Sequence, residues 1–262
     1  MSNYRVARAV TVDDTASQPG EASARCPNCE APLAPGQLFC GQCGQHAGAH
    51  RLTLGGIGHE LVHALFHVDQ SIFALLKGLL IRPGTVARDY VDGRRKRYFS
   101  PFGFLVITAG LATFFVIATG ARWFSAITDS HAQEILSLHF NLVVLLQTPV
   151  LMMLCKLLFW NERLNLAEHL VLVSYTAGVR MLFLSFVAGP IMYATGVTMT
   201  NPVFYVMYYA VWLSYFALAA VQFYRGRRWL VAVKAIVAAI VNQLFTMLGI
   251  YIFIYTYEFA SH

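Results

Sequence analysis

From about residue 100 to the C-terminus, the chain alternates between long apolar runs and short polar segments. The runs cover approximately residues 101–120, 138–160, 168–195, 203–223 and 229–257. Each is close to or above the roughly 20 residues that a helix needs to cross a bilayer. The third and fifth exceed that length, so we expect them to tilt, kink or extend past the bilayer, with Gly189–Pro190 as the kink site in the third. The pattern predicts an all-α integral membrane bundle of about five transmembrane helices.

Residues 57–80 follow a different pattern, with one apolar and one polar helical face. At 100° per residue the apolar side chains fall within about 60° of Leu61. They are Leu65, Val68, Ile72, Leu75, Leu76 and Leu79, and the opposite side carries His59, His63, His67, Gln70 and Lys77. Because Asp69, Gln70 and Lys77 interrupt the run, we expect an amphipathic helix on the inner membrane surface or packed on the bundle. Arg82–Pro83–Gly84 should end it.

The composition favours a bilayer protein over a soluble one. The 262 residues are 57% hydrophobic and 12% charged, which is about half the charged fraction of soluble domains. The net charge of +6 does not indicate nucleic acid, because most of the excess lies beside apolar runs. The two clusters are Arg94–Arg95–Lys96–Arg97 and Arg225–Gly226–Arg227–Arg228. Basic residues in such positions set topology or contact anionic lipid, so the lipid bilayer is the expected partner.

The basic residues also predict an orientation. If the N-terminus lies inside, the inner loops hold both basic clusters and Arg163, whereas the outer segments hold only Arg122. The positive-inside rule then predicts a cytoplasmic N-terminus and a C-terminus outside. Residues 1–25 contain several charged residues and no apolar core, so we expect a disordered lead-in and no secretory signal.

Two Cys-x-x-Cys knuckles lie within residues 26–45. Cys26-Pro-Asn-Cys29 is followed, after ten residues, by Cys40-Gly-Gln-Cys43. Two such knuckles bring four thiolates around one ion in tetrahedral geometry, which suits Zn²⁺. Disulfides are the alternative, but the cytoplasm is reducing and the paired spacing favours metal. We predict a zinc ribbon whose ion is structural, because four thiolates leave no coordination position for water.

A second pattern typical of metal sites is His59-Glu60-Leu61-Val62-His63. It matches the H-E-x-x-H motif of zinc metalloproteases, in which the glutamate is the general base. The polar face of the amphipathic helix explains the same histidines, and no recognisable motif supplies a third ligand. We therefore assign no catalytic residue and keep a membrane metalloprotease only as a hypothesis.

Residues 82–101 read RPGTVARDYVDGRRKRYFSP. With the two knuckles and Ala167-Glu168-His169-Leu170, this segment resembles an uncharacterised family of bacterial multi-pass membrane proteins. That family has a zinc ribbon, a short linker, a PG…Y-hydrophobic-x-G-K/R-R…Y…P segment and several spanning helices. The resemblance covers most of residues 26–190, with Gly93-Arg94-Arg95 in place of the usual Gly-Lys-Arg. It implies this architecture in a bacterial inner membrane, without an activity.

The polybasic turn of Arg94, Arg95, Lys96 and Arg97 is one candidate site for anionic lipid. It lies directly before the first span, where guanidinium groups meet lipid phosphates. An anchor that only sets the topology explains the same residues.

Arg180 is the second candidate for binding lipid or an anion. It lies 12 residues beyond Glu168, or about 18 Å along a helix, which is near the bilayer midplane. His169, Thr176 and Arg180 fall within about 40° of one another and form a polar stripe. An ionisable residue at this depth is a candidate functional site. Neutral groups such as Asn141, Gln147, Asn242 or Gln243 could satisfy it instead, and in either case we expect Arg180 to face the bundle interior.

These patterns predict four parts of the chain. They are a disordered lead-in (1–25), a zinc ribbon (26–45), an amphipathic interfacial helix with a polybasic linker (57–98) and a transmembrane helical domain (99–262). We expect a binding, regulatory or scaffold protein whose cytoplasmic ribbon docks a protein partner, and the sequence identifies no reaction. The alternative is a transporter or lipid-handling protein that uses Arg180 for an anionic ligand.

Overall fold

The computed structural model describes residues 25–48, 51–53, 71–119 and 140–261, and the single positions 55 and 135. Within these ranges the regular structure is helical, apart from two isolated β-bridges in the cysteine segment. In chain order the helices are α1 Ser71–Ile81, α2 Pro83–Val91, α3 Pro101–Thr119, α4 Phe140–Leu158, α5 Leu166–Phe183, α6 Gly189–Thr195, α7 Pro202–Phe223 and α8 Arg228–Ser261. This architecture confirms the predicted all-α bundle.

Four helical segments among the described residues are long and apolar enough to cross a membrane. They are Pro101–Thr119, Leu166–Thr195, Pro202–Phe223 and Arg228–Tyr257. They coincide with the first, third, fourth and fifth predicted runs, and they make this a multi-pass membrane protein. The second run forms α4, whose apolar part Leu142–Leu158 is shorter, so its crossing stays a prediction.

The third span contains an irregular turn where the sequence predicts a kink. A π-helical turn, Leu184–Ala188, lies between α5 and α6, and the N–H of Gly189 donates to the carbonyl of Leu184. Pro190 has no N–H, and its ring would clash with the carbonyl four residues earlier in a regular α-helix. Widening the helix by one residue before the proline relieves that clash.

Helix α5 is the centre of the bundle. In the most apolar stretch of its span, Leu166–Thr195, 67% of the residues are buried, whereas the corresponding share in the span of α8 is 17%. It packs against α2, α3, α4 and α7, and Val171, Leu172 and Tyr175 are fully buried. Side chains on α5 therefore point into protein, whereas α8 lies at the edge of the bundle.

Helix α1 is the described part of the predicted amphipathic helix. Leu75 and Leu79 are buried and Lys77 is exposed, as that pattern predicts. The helix ends at Ile81, directly before Arg82–Pro83–Gly84. The hydroxyl of Tyr215 on α7 donates to the carbonyl of Leu79, so α1 packs on the bundle. Residues 57–70 of the predicted helix lie outside the described residues.

Helix α2 occupies a stretch that the sequence analysis assigns to a linker. Pro83 starts it, since proline has the helical φ and needs no donor in the first turn. Gly84 allows close contact with α7, because a Cβ there would lie 1.9 Å from the carbonyl oxygen of Ala219. Its N–H donates to the side chain of Gln222 at 3.0 Å. Contact with α7 stabilises this helix. The sequence of residues 82–91 does not show that contact, and for this reason the helix was not predicted.

Candidate functional site

The four cysteines of the two knuckles surround one point. One isolated β-bridge joins Arg25 to Pro32 around the first knuckle, and another joins Phe39 to His46 around the second. Backbone hydrogen bonds from Glu30 to Cys26 and from Gly44 to Cys40 close the two turns. All four sulfur atoms lie within 4.8 Å of one another. The local turns therefore position all four donors, as the spacing predicts.

The sulfur positions fit a tetrahedral thiolate site. Sγ of Cys26 is 3.6 Å from Sγ of Cys43, and Sγ of Cys29 is 3.5 Å from Sγ of Cys40. A tetrahedron with metal–sulfur bonds of about 2.3 Å has sulfur–sulfur edges of about 3.8 Å. The four cysteines are free, since a disulfide would bring two sulfurs to about 2.05 Å. This cluster can hold a metal ion.

The pKa values of Cys29, Cys40 and Cys43 are shifted in different directions by their surroundings. The backbone amides of Cys43 and Gln42 donate to Cys40 and lower its pKa. At Cys43 desolvation raises the pKa, but the Gln45 amide and Asn28 outweigh it and lower the pKa to about 6. At Cys29 the amide of Ala31 acts in the same direction, yet desolvation and the neighbouring cysteines raise the pKa to about 12. A thiolate at Cys29 is therefore unfavourable beside its neighbours, and a bound cation would favour it.

The cysteine ribbon contacts the loop that leads into α3. The side-chain oxygen of Gln45, two residues after the second knuckle, accepts a hydrogen bond from the backbone of Lys96 at 3.1 Å. Gln45 is buried. Arg94 reaches Glu30 of the ribbon at 4.0 Å and Asp89 of α2 at 3.3 Å. The ribbon is thus docked on the polybasic turn.

Much of the polybasic turn is engaged within the protein. Arg95 lies 5.9 Å from the ring centroid of Tyr90, and Arg97 lies 5.7 Å from that of Tyr98. Of these four basic residues, Lys96 and Arg97 are exposed, whereas Arg94 and Arg95 are partly buried. Lipid binding by Arg94, Arg95, Lys96 and Arg97 stays a prediction.

Arg180 points into the bundle, as predicted, and joins three helices. Its side chain donates from Nε to the hydroxyl of Tyr208, from Nη1 to the side-chain oxygen of Gln147 and from Nη2 to the hydroxyl of Tyr209. All three distances are 2.9 Å. The guanidinium also lies 5.1 Å from the ring centroid of Trp212. Since each nitrogen already has an acceptor, the geometry favours a structural role over anion binding.

His169 belongs to a different part of α5. It is fully buried, with Nδ1 2.8 Å from the hydroxyl of Tyr224. Among the described residues Nε2 has no hydrogen-bond partner. Between the two ends of the stripe, the hydroxyl of Thr176 bonds to the carbonyls of Leu172 and Val173 in its own helix. The polar stripe is therefore not a connected path, and anion binding at His169 also stays a prediction.

A capping box and an ion pair fix the start of α5. The side chain of Asn165 accepts from the amide of Glu168 at 2.9 Å, and the Glu168 carboxylate accepts from the amide of Asn165 at 2.7 Å. Arg51 binds the same carboxylate through two hydrogen bonds of 2.7 and 2.9 Å, and also donates to the carbonyl of Arg163. The segment that follows the ribbon is thereby anchored to the third span.

Sequence reasoning missed several of these partners. Gln147, one of the predicted neutral groups, does accept from Arg180, but the other two acceptors, Tyr208 and Tyr209, were not predicted. The sequence signal that could have identified them is an adjacent pair of tyrosines within an apolar run. Arg51 gives no local signal, because Glu168 lies 117 residues away in sequence. The motif of His59, Glu60 and His63 lies outside the described residues.

The fold and the cysteine cluster define a class: a multi-pass helical membrane protein with a four-cysteine module that can hold a metal ion. Residues 69–113 match the family model described as Protein of unknown function (DUF3667). The match runs from the beginning of α1 into α3 and supports an uncharacterised family, without an activity. No curated protein and no solved structure gave a significant match.

We expect the purified protein to carry one metal ion per chain and Cys40→Ser to lose it, because three thiolates leave the tetrahedral site open. Elemental analysis of the detergent-purified protein measures the stoichiometry. Cys155→Ser is the matched control, since Cys155 is a buried cysteine outside the cluster and should leave the metal content unchanged. Equal metal in the Cys40→Ser protein and the wild type would contradict the assignment.

We expect Arg180→Gln to lower the stability of the bundle by about 3 kcal/mol, because buried hydrogen bonds to a charged group are lost. Arg180→Lys should also destabilise it, since a single amine cannot reach the acceptors on α4 and α7 together. Thermal unfolding in detergent, followed by size-exclusion chromatography, measures this loss. Arg228→Gln, at an exposed position, should leave stability unchanged. Normal stability with loss of a co-purifying anionic lipid in Arg180→Gln would instead support the ligand hypothesis.

Proposed function

We propose that this protein is a binding or scaffold protein of a bacterial cytoplasmic membrane, whose zinc-loaded ribbon docks a cytoplasmic protein partner. The observation that carries the proposal is the exposure of two large apolar side chains beside the cysteine cluster. Leu38 is 66% exposed and Phe39 is 58% exposed. The Leu38-Phe39 pair directly precedes Cys40, and both side chains are exposed although the ribbon is docked on the bundle.

The proposed ion is Zn²⁺. A closed set of four thiolates with tetrahedral geometry is typical of structural zinc sites. Soft thiolate ligands also disfavour Mg²⁺ and Ca²⁺, which take oxygen ligands. In this role the ion stabilises the ribbon, which has only a small apolar core of its own, and takes no part in a reaction.

The hairpin of the second knuckle holds the apolar pair in place. The amide of Ala47 donates to the carbonyl of Leu38, and the side chain of Gln37 donates to the carbonyl of Phe39. The rings of Phe39 and His46 are nearly perpendicular, and their centroids lie 5.0 Å apart. A rigid aromatic and aliphatic pair loses little entropy on binding, which is typical of interface anchors.

A cytoplasmic position of the ribbon follows from the charge of the bundle face that it contacts. That face carries the polybasic turn before α3, Arg163 before α5, Arg225 and Arg227 between α7 and α8, and Arg228 at the start of α8. The positive-inside rule assigns such a face to the cytoplasm. A reducing compartment also keeps the four thiols available for metal.

The alternative of a transporter or lipid-handling protein built on Arg180 has less support. The three hydrogen bonds of Arg180 tie α5 to α4 and α7 and leave each guanidinium nitrogen with an acceptor. An anionic ligand at this point would have to displace those partners.

We expect the C-terminus to lie outside, because the proposal includes α4 as a fifth crossing. An alkaline phosphatase fusion after residue 262 should be active, and a fluorescent-protein fusion there should be dark. Fusions after residue 226, at the basic end of α7, should give the opposite result. A cytoplasmic reporter at residue 262 would mean that α4 does not cross.

We expect a photo-crosslinking amino acid at position 38 to give one discrete protein adduct in cells. Leu38→Ser with Phe39→Ser should abolish co-purification of that protein while the metal content stays unchanged. The same crosslinker at Gln42, an exposed position of the ribbon, is the control and should give much less adduct. Equal labelling from both positions, or no adduct from a folded and metal-loaded protein, would contradict the partner surface.

A further inference from the structure

A cavity of about 310 Å³ lies where the segment after the ribbon meets the entry of the third span. Its lining is Arg51, Arg88, Val91, Asp92, Gly93, Arg163, Leu164 and Glu168. We propose that this cavity binds a phosphate group, either in the headgroup of an anionic lipid or as free phosphate. The proposal is independent of the ribbon partner proposed above.

The cavity lies at the basic face of the membrane domain. Arg163 and Leu164 directly precede α5, and Asp92 and Gly93 lie between α2 and the start of α3. Two membrane spans therefore begin beside it. A pocket at this depth lies beside the lipid phosphates, and its volume is within the range of small-molecule sites.

The charges that line the cavity leave an excess of cationic donors. The Glu168 carboxylate accepts two hydrogen bonds from Arg51, and Asp92 accepts one from Nε of Arg88 at 3.2 Å. The guanidinium of Arg163 makes no hydrogen bond or ion pair with another residue in the described part of the chain. The cavity lining thus carries three arginines and two carboxylates. The net charge of +1 is available to an anionic ligand.

Arg88 provides the most specific indication of a ligand. Its Nη1 is buried and has no hydrogen-bond partner among the described residues. The guanidinium is oriented by Asp92 on one side and lies 5.9 Å from the ring centroid of Phe223. A buried guanidinium N–H without an acceptor is unfavourable. The exposed part of the same side chain, 21% of its surface, lines the cavity, so an anionic acceptor there would stabilise the guanidinium once Nη1 turns toward it.

Phosphate is the anion that this donor set fits best. Guanidinium groups bind phosphate oxygens with parallel hydrogen bonds. Arg88 and Arg163 come from different segments and can contact different oxygens of one tetrahedral group. Arg94, Arg95 and Arg97 are not among the residues that line the cavity.

The test compares two pairs of substitutions in the full-length, detergent-purified protein. Arg88→Gln with Arg163→Gln removes the proposed donors. Arg227→Gln with Arg228→Gln removes the same charge from exposed positions directly before α8 and at its first residue. Native mass spectrometry during titration with phosphatidylglycerol or phosphatidylcholine gives the lipid affinities. Calorimetric titration with inorganic phosphate gives the affinity for the free anion.

We expect Arg163→Gln alone to weaken phosphatidylglycerol binding about fivefold, and the Arg88/Arg163 pair to weaken it further. The Arg227/Arg228 pair should change it less than twofold, and phosphatidylcholine should bind weakly throughout. This outcome identifies a lipid headgroup. If the first pair abolishes binding of inorganic phosphate and leaves phosphatidylglycerol unaffected, the occupant is free phosphate.

The proposal is overturned if neither affinity changes in the Arg88/Arg163 pair. It is also overturned if the Arg227/Arg228 pair weakens lipid binding equally, because the effect would then be general surface charge. If the pair containing Arg88→Gln does not fold, Arg163→Gln decides alone. The Arg163 side chain is exposed, and its substitution does not change the Arg163 backbone carbonyl that accepts a hydrogen bond from Arg51. Size-exclusion profile and metal content verify that each variant is folded.

Discussion

In the hydrocarbon interior a charged side chain has to find its partners within the protein, and for Arg180 these partners come from two other helices. Gln147 on α4 and the tyrosine pair on α7 accept its three hydrogen bonds. These three hydrogen bonds constrain the rotation of α5 and its depth relative to α4 and α7, since all three acceptors have to lie within hydrogen-bond distance of one guanidinium. The central helix of the bundle is thereby held by polar contacts as well as by apolar packing.

The basic end of the bundle is organised by a second set of polar contacts. The capping box of Asn165 and Glu168 starts α5, and Arg51 ties the segment after the ribbon to the same carboxylate. Gln45 ties the ribbon itself to the polybasic turn. The ribbon is therefore linked to the loop that enters α3 and, through Arg51, to the entry of α5. A protein bound to the ribbon would act on the part of the bundle that faces lipid headgroups.

Two surfaces with different chemistry result from this arrangement. Leu38 and Phe39 offer an apolar contact on the ribbon, suited to another protein. The cavity around Arg88 and Arg163 offers cationic donors for the proposed phosphate group. Both surfaces lie at the basic end of the bundle.

The sequence by itself determined the features that depend on local pattern. Apolar length identified the spans because burial in lipid requires a continuous run, and the two Cys-x-x-Cys spacings identified the metal-binding cluster because each knuckle closes within four residues. The sequence also predicted that Arg180 points inward. Its position in the span places it near the bilayer midplane, where a charged side chain that faces lipid is costly. Only the tertiary structure decided which groups satisfy Arg180, that α2 is a helix, and that Arg51 reaches Glu168. These outcomes depend on how helices distant in sequence are placed against one another, and that placement is set by packing over many residues at once.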